Sequence, residues 1–249
     1  MNLFVEAFAW LADPQHWVGP GGVARRTLEH LAITLSAVSL AAVVAVPVGV
    51  LIGHRHTGQG VVGALSGAAR AVPTLGLLTL AGLALGIGLA GPMVALVVLA
   101  VPSLLAGAYA GVDAVDRETT AAARAVGMTP GQVVRRVELP LAAPVIIGGF
   151  RSAVLQVVAT ATLAAYVADA GLGRFLFIGL KSRDYPQMLA GALVVAALAL
   201  VLELALAAAQ RFARARWVPG RSATVSTSRR RRRRGLDPSP RSATTQEIP

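Results

Sequence analysis

Few residues in this chain are able to do chemistry, and most of them stand apart. Lys181 is the sole lysine and follows Leu180. No G-x-x-x-x-G-K-S/T loop exists, so the chain has no Walker-type cradle for a nucleotide phosphate. There is no cysteine, which excludes disulfides, thiol nucleophiles and thiolate metal sites. His54 and His56 share a short polar stretch without a further ligand pattern, so no metal is expected there. Arg151 falls 11 residues past Pro140, about 16 Å along a helix. Glu203 lies eight residues before Arg211, inside another apolar run. A charge at such depth pairs, snorkels or faces a wet cavity. Arg151 and Glu203 are therefore candidates for a pore or interface role, with helix packing or an interface favoured over a pore.

Those isolated charges weigh against two classes of function. An embedded enzyme needs a convergent nucleophile, metal or acid–base set, and the acids and histidines here fall in loops at different depths. An ion-coupled secondary transporter needs internal repeats and ionisable residues at the membrane midplane, and neither is visible. No resident cofactor is expected.

The elements that position these residues are long and apolar. Of 249 residues, 55% are hydrophobic and 14% charged. Leu31 to Ile52 runs 22 residues without a charge, and Ala71 to Val112 runs 42. Since about 20 apolar residues cross a bilayer as a helix, the second run is long enough for two spans. The expected class is all-α, an integral membrane protein with five transmembrane helices. The spans are placed at about Leu31–Ile52, from Pro73 to a break at Gly91-Pro92, Met93–Val112, from Pro140 to Val167, and Pro186–Gln210. The N-terminal stretch contains Glu6 and Asp13 and lacks a basic flank, so it is not read as a cleaved signal peptide.

The chain divides into three regions: an extracytoplasmic segment 1–24, a membrane domain 25–210, and a basic tail 211–249. The tail holds 11 arginines against two acids and dominates the net charge of +11. Its Ser, Thr, Pro and Arg composition lacks a core and predicts disorder. Arg229 to Arg234 fit contact with anionic lipid better than nucleic acid. The stretches 54–70 and 113–140 together with the tail carry 17 basic residues, and the opposite side carries five. The positive-inside rule then puts the N-terminus outside and the C-terminus in the cytoplasm of a multi-pass protein.

One cytoplasmic passage breaks the apolar pattern: "ETTAAARAVGMTPGQVVRRVELP", residues 118 to 140. Asp116 is positioned to cap a helix with Glu118 in its first turn. Ala121, Ala122 and Ala123 favour helix, and Gly127 supplies a left-handed stop. Thr129, Pro130 and Gln132 then read as a capping box that starts a second helix. Val133, Val134 and Val137 share one side of it, and Leu139-Pro140 is expected to end it. The unit is a helix, a glycine elbow and a helix, offered either as a docking surface or as an interfacial connector.

The same passage resembles the cytoplasmic loop of ATP-binding-cassette importer permeases. That pattern is Glu-Ala-Ala, three residues, Gly, nine residues, an aliphatic residue, any residue, then Leu-Pro. Ala121-Ala122-Ala123, Gly127, Val137 and Leu139-Pro140 fall at those spacings, with Ala121 in place of the glutamate. Glu118 lies one turn earlier. Three further passages are similar to permeases of osmoprotectant importers: "LADPQHWVGPGGVARRTLEHLAITL", "RAVPTLGLL" and "VATATLAAYVADAGLGRFLFIGLKSRDYPQMLAGAL". The resemblance covers residues 4 to 211.

It implies a bacterial plasma-membrane permease for glycine betaine, choline or carnitine, with Glu118, Ala121 to Ala123, Gly127, Thr129, Pro130, Val137, Leu139 and Pro140 docking an ATPase subunit. It implies three partners: that ATPase, which binds the ATP, a second permease, identical or related, and an extracytoplasmic binding protein. Three Trp and three Tyr are scattered along the chain, so an aromatic cage for the cation is expected on the binding protein. A permease for another small solute, such as an amino acid, is the alternative, ahead of a secondary transporter.

Overall fold

The computed structural model describes residues 2–217, and all regular structure among them is helical. In chain order the helices are α1 (Leu3–Ala12), α2 (Val23–Arg55), α3 (Gln59–Ala71), α4 (Thr74–Leu85), α5 (Ala90–Asp113), α6 (Arg117–Ala125), α7 (Pro130–Val133), α8 (Leu139–Ala164), α9 (Gly173–Ser182) and α10 (Tyr185–Trp217). The basic tail from Val218 onward lies outside the described residues.

Four stretches are long and apolar enough to cross a membrane: Val23–Arg55, Ala90–Asp113, Pro130–Ala164 and Tyr185–Trp217. The second expected span is different. In its place the chain forms only the 12-residue α4, which follows α3 after a bend at Val72-Pro73. Pro73 lacks the N–H that would continue α3 and disfavours helix at Val72. The break before α5 is also displaced from Gly91-Pro92. It falls at Gly86 and Gly88, whose φ values are +85° and +138°, while Gly91 and Pro92 open α5. A proline in the first turn of a helix forfeits no hydrogen bond. The polar stretch 54–70, expected as a loop, is largely occupied by α3.

Contacts fix the direction of each passage. A Cβ on Gly49 would meet Leu105 O at 2.7 Å, and one on Gly53 would meet Val112 Cβ at 2.8 Å, so α2 and α5 run parallel. The chain between them must therefore return, and α3 and α4 make that return leg along α5. Gly107 lies on Gly149 and Gly111 beside Ala142, which makes α8 antiparallel to α5. Gln210 reaches Pro144, which makes α10 antiparallel to α8.

The core sits where α2, α5 and α8 meet. Ala37, Ala41, Ala45, Leu96, Ala100, Leu104, Val157 and Ala161 pack in one cluster. Its small residues at i, i+4 spacing let the backbones approach closely, as packing between membrane helices requires. The Gly107-xxx-Gly111 pattern is one such contact. Gly82-xxx-Gly86 is not, because Gly86 ends α4 instead of lying on its face.

The two ends of the bundle differ. The C-termini of α2, α5 and α10 gather with the start of α8 at what we term the elbow end. At the far end lie α1, α9 and the segment 165–172. There α1 packs on α10, and Trp10 meets Phe175 edge-on at 5.5 Å. Glu29 binds Arg26 at 2.9 Å and the Gly171 N–H at 3.3 Å. His30 is fully buried; its Nε2 donates to Val158 O at 3.0 Å and its Nδ1 accepts from Leu172 N at 3.4 Å. Those two partners together specify the neutral Nε2–H tautomer, and they pin 165–172 against α2 and α8.

Candidate functional site

The helix–elbow–helix unit forms at the end of α5, and its caps explain its shape. Asp116 accepts a hydrogen bond from the Glu118 N–H at 3.0 Å and starts α6. Gly127 has φ +89°. Its N–H donates to Arg124 O at 2.9 Å, and Met128 N–H donates to Ala123 O at 3.2 Å. These bonds form a Schellman motif with the glycine at its left-handed position. Thr129 N–H then donates to the Gln132 side chain at 2.9 Å, and Gln132 N–H donates back to Thr129 Oγ1 at 3.4 Å. This reciprocal box, with Pro130 at N1, starts α7.

Beyond α7 the chain departs from expectation, because Leu139-Pro140 does not end a helix. A π-helical turn, Val134–Glu138, carries α7 straight into α8, and Leu139 N–H bonds to Val134 O. In a regular helix the Pro140 ring would collide with the Arg136 carbonyl. The wider turn removes that collision, in keeping with the habit of π-bulges to occur at functional sites. The elbow is therefore continuous with a spanning helix and is not a detached connector.

Burial sorts the unit into an anchored face and an offered face. Thr120, Ala123 and Val133 are buried, and Val137 is half-buried. Glu118, Ala121, Ala122, Gly127, Thr129 and Pro130 are exposed, as are Arg124, Arg135 and Arg136. Val126 projects at the elbow with 76% exposure. The offered face is thus two small alanines, a valine and a rim of arginines.

Two anchors of the unit have no local signature in the sequence. Glu138, only 2% exposed, binds His54 Nδ1 at 2.8 Å. His56 Nδ1 lies 2.8 Å from Asp113, which also accepts from Tyr109 OH at 3.3 Å. The histidines thus join the end of α2 to the start of α8 and the end of α5. The pairs lie 84 and 57 residues apart in sequence, so no local pattern announces them. A carboxylate directly before Leu-Pro is the one available sign for Glu138.

Arg151 and Glu203, separate candidates in the sequence, form one bidentate pair between α8 and α10. Arg151 Nε donates to Glu203 at 2.7 Å, and Nη2 donates to the other carboxylate oxygen. Arg151 Nη1 reaches Gln210 at 3.3 Å, and Gln210 donates in turn to Pro144 O at 2.8 Å. Breaking a pair in apolar surroundings leaves an uncompensated charge, whereas replacing both partners does not. Arg151→Met should therefore lower the apparent Tm of the purified protein more than Arg151→Met/Glu203→Met does. An equal loss for the single and double variants would separate the pair from stability.

Known proteins are similar to this chain. Residues 45–217 match the family described as binding-protein-dependent transport system inner membrane component. The chain is 37% identical over 191 residues to a choline transport system permease protein of Bacillus subtilis, covering 77% of this chain and 88% of that one. A glycine betaine/carnitine/choline transport system permease protein of the same species is 34% identical over the same shares of both chains. Among solved structures, an inward-facing MetNI methionine ABC transporter matches with a TM-score of 0.68 at 24% identity, over 81% of this chain and 99% of that one. At that identity the likeness is one of fold.

Proposed function

We infer, from the premise that this chain belongs to the family of binding-protein-dependent transport system inner membrane components, that its cargo is a small quaternary ammonium osmoprotectant of the glycine betaine, choline or carnitine class. The chain is a multi-pass membrane permease of an ATP-binding-cassette importer and not an enzyme. Relatives named for choline, glycine betaine and carnitine, at 34–38% identity, support the cargo class.

One observation carries the coupling role: a doubly capped elbow with an exposed alanine face, continuous with α8 and tied to α2 through His54 and Glu138. In this reading the elbow seats in a groove of a separate ATPase subunit. This chain has no P-loop of its own, so the ATP belongs to that partner. Movement of the seated elbow shifts the ends of α2, α5 and α8 together, because histidine–carboxylate hydrogen bonds and a continuous helix join all three. A second permease, identical or related, completes the passage, and an extracytoplasmic binding protein delivers and selects the solute. Arg151 and Glu203 act in packing between α8 and α10.

The elbow end faces the cytoplasm in this reading. Arg55, Arg117, Arg124, Arg135, Arg136 and Arg211 gather there, and none has an acidic partner among the described residues. At the far end Arg25, Arg26 and Arg174 are ion-paired, which leaves Lys181 and Arg183 without an acidic partner among the described residues. The return leg α3–α4 is the fifth crossing, made of two helices bent at Pro73.

Uptake by the assembled importer tests the reading. The chain, co-produced with its ATPase, partner permease and binding protein, should take up radiolabelled glycine betaine, choline or carnitine in an ATP-dependent manner. Excess methionine should not compete, and proton or sodium ionophores should not abolish uptake while ATP is held constant. Competition by an amino acid would move the cargo to that class. Collapse of uptake with the ion gradient would overturn the coupling mechanism.

A further inference from the structure

Where α8 meets the last turns of α10, the bundle contains a second site with its own chemistry. A cavity of about 330 Å³ is lined by Arg151, Ala207, Gln210, Arg211 and Arg214. Arg151 is compensated by Glu203. Arg211 and Arg214 have neither an ion pair nor a hydrogen bond among the described residues. The cavity therefore presents two uncompensated guanidinium groups, the amide of Gln210 and the edge of a third guanidinium. Guanidinium groups bind phosphate oxygens through paired N–H donors.

Its position says which phosphate. α10 is 33 residues long, about 50 Å at 1.5 Å per residue, against a hydrocarbon core of about 30 Å. Its final turns must therefore reach the headgroup region. Trp217, 44% exposed, marks that level, since tryptophan collects at the membrane interface. On the stripe of α10 that carries Ala207, Arg211 and Arg214, the preceding turns place Leu200 and Leu204, 58% and 62% exposed. The surface runs from apolar to cationic along one helix face, which is the order of acyl chain and phosphate in a lipid. A free phosphate has no use for the apolar half.

We propose that this cavity binds the phosphate of an anionic membrane lipid of the phosphatidylglycerol class, with Arg211 and Arg214 as its charged contacts, Gln210 as a polar contact and Leu200 and Leu204 beneath its acyl chains. The site is independent of the importer reading, because it requires only that α8 and α10 cross the membrane.

Native mass spectrometry of the full chain in detergent, with equimolar phosphatidylglycerol and phosphatidylcholine, tests it. The wild type should retain one phosphatidylglycerol in preference to phosphatidylcholine. Arg211→Gln/Arg214→Gln should lose roughly thirty-fold of that preference, two cationic contacts at membrane-surface strength. Arg216→Gln is the control, because Arg216 stacks on the Trp217 ring at 5.1 Å and does not line the cavity; its preference should be unchanged. Equal loss in Arg216→Gln would reduce the effect to diffuse surface charge and overturn the site. Displacement of the lipid by millimolar inorganic phosphate would make it a free-anion site instead. An unchanged preference in the double variant would also overturn it.

Discussion

Replacing Gly127 by valine should leave the permease folded and in the membrane, and lower uptake per inserted molecule about ten-fold. The space around Gly127 is not the obstacle: a Cβ there would meet nothing within 4 Å. The cost lies in the backbone, since φ is +89° and a residue with a Cβ loses about 1–2 kcal/mol in that region, a β-branched one more. Each 1.4 kcal/mol is about a factor of ten in the population of the native elbow. The residue is exposed on a loop, so the helices of the core have no reason to separate. The Schellman bonds of Gly127 and Met128 would be lost, and α6 and α7 would meet at another angle. Thr129→Ala removes one half of the capping box, about 0.5–2 kcal/mol, but keeps Pro130 at N1 and the glycine turn. It should reduce uptake less than Gly127→Val does. Uptake normalised to membrane-inserted protein ranks the two, and equal activity of Gly127→Val and wild type would remove the elbow from the coupling mechanism.

A change at Gly107 should act in the opposite way, on folding first. A Cβ at that position would stand 2.6 Å from Gly149 Cα and 3.1 Å from Gly149 N. Overpacking costs about 1–3 kcal/mol when side chains make room, but here the obstacle is backbone and has no rotamer to change. Gly107→Leu must force α5 and α8 apart along the middle of the core. Monodisperse protein recovered by size-exclusion chromatography should fall to roughly a tenth of wild type or less. Gly131→Leu is the matched comparison: a Cβ there meets nothing within 4 Å, and recovery should be near normal. Similar recovery for both variants would mean that the Gly107–Gly149 contact does not hold the bundle together.

The contrast between these glycines also explains which features are legible in the sequence. Caps and turns depend on a few adjacent residues. Asp116, Gly127, Thr129 and Gln132 can therefore be assigned roles from their order alone, and the structure has each in that role. The apolar runs likewise announce the long helices, although α10 continues through Arg211 to Trp217, seven residues past the expected end at Gln210. Prolines mislead where their effect depends on position within a helix. Pro92 sits in a first turn, where it interrupts nothing, and Pro140 is accommodated by the π-helical turn before it, while the break inside the long apolar run falls at Gly86 and Gly88 and not at a proline.

Pairings across the bundle are the least legible. Arg151 and Glu203 both stand out as misplaced charges, yet nothing local shows that they face each other across 52 residues. His54 carries no metal-ligand pattern, and nothing near it in sequence points to Glu138 as its partner. His30 is equally silent, because one histidine at the start of a span gives no sign of the two backbone groups it joins.

Cross-linking measures directly whether the elbow face docks on the ATPase subunit. The chain lacks cysteine, so a single Ala122→Cys, on the exposed side of α6, can carry a photo-reactive maleimide within the assembled, transporting complex. Ala122→Cys should yield a product containing this chain and the ATPase, and Leu180→Cys, 58% exposed at the far end of the bundle, should yield none. Cross-linking to the ATPase from Leu180→Cys but not from Ala122→Cys would contradict both the docking surface and the orientation.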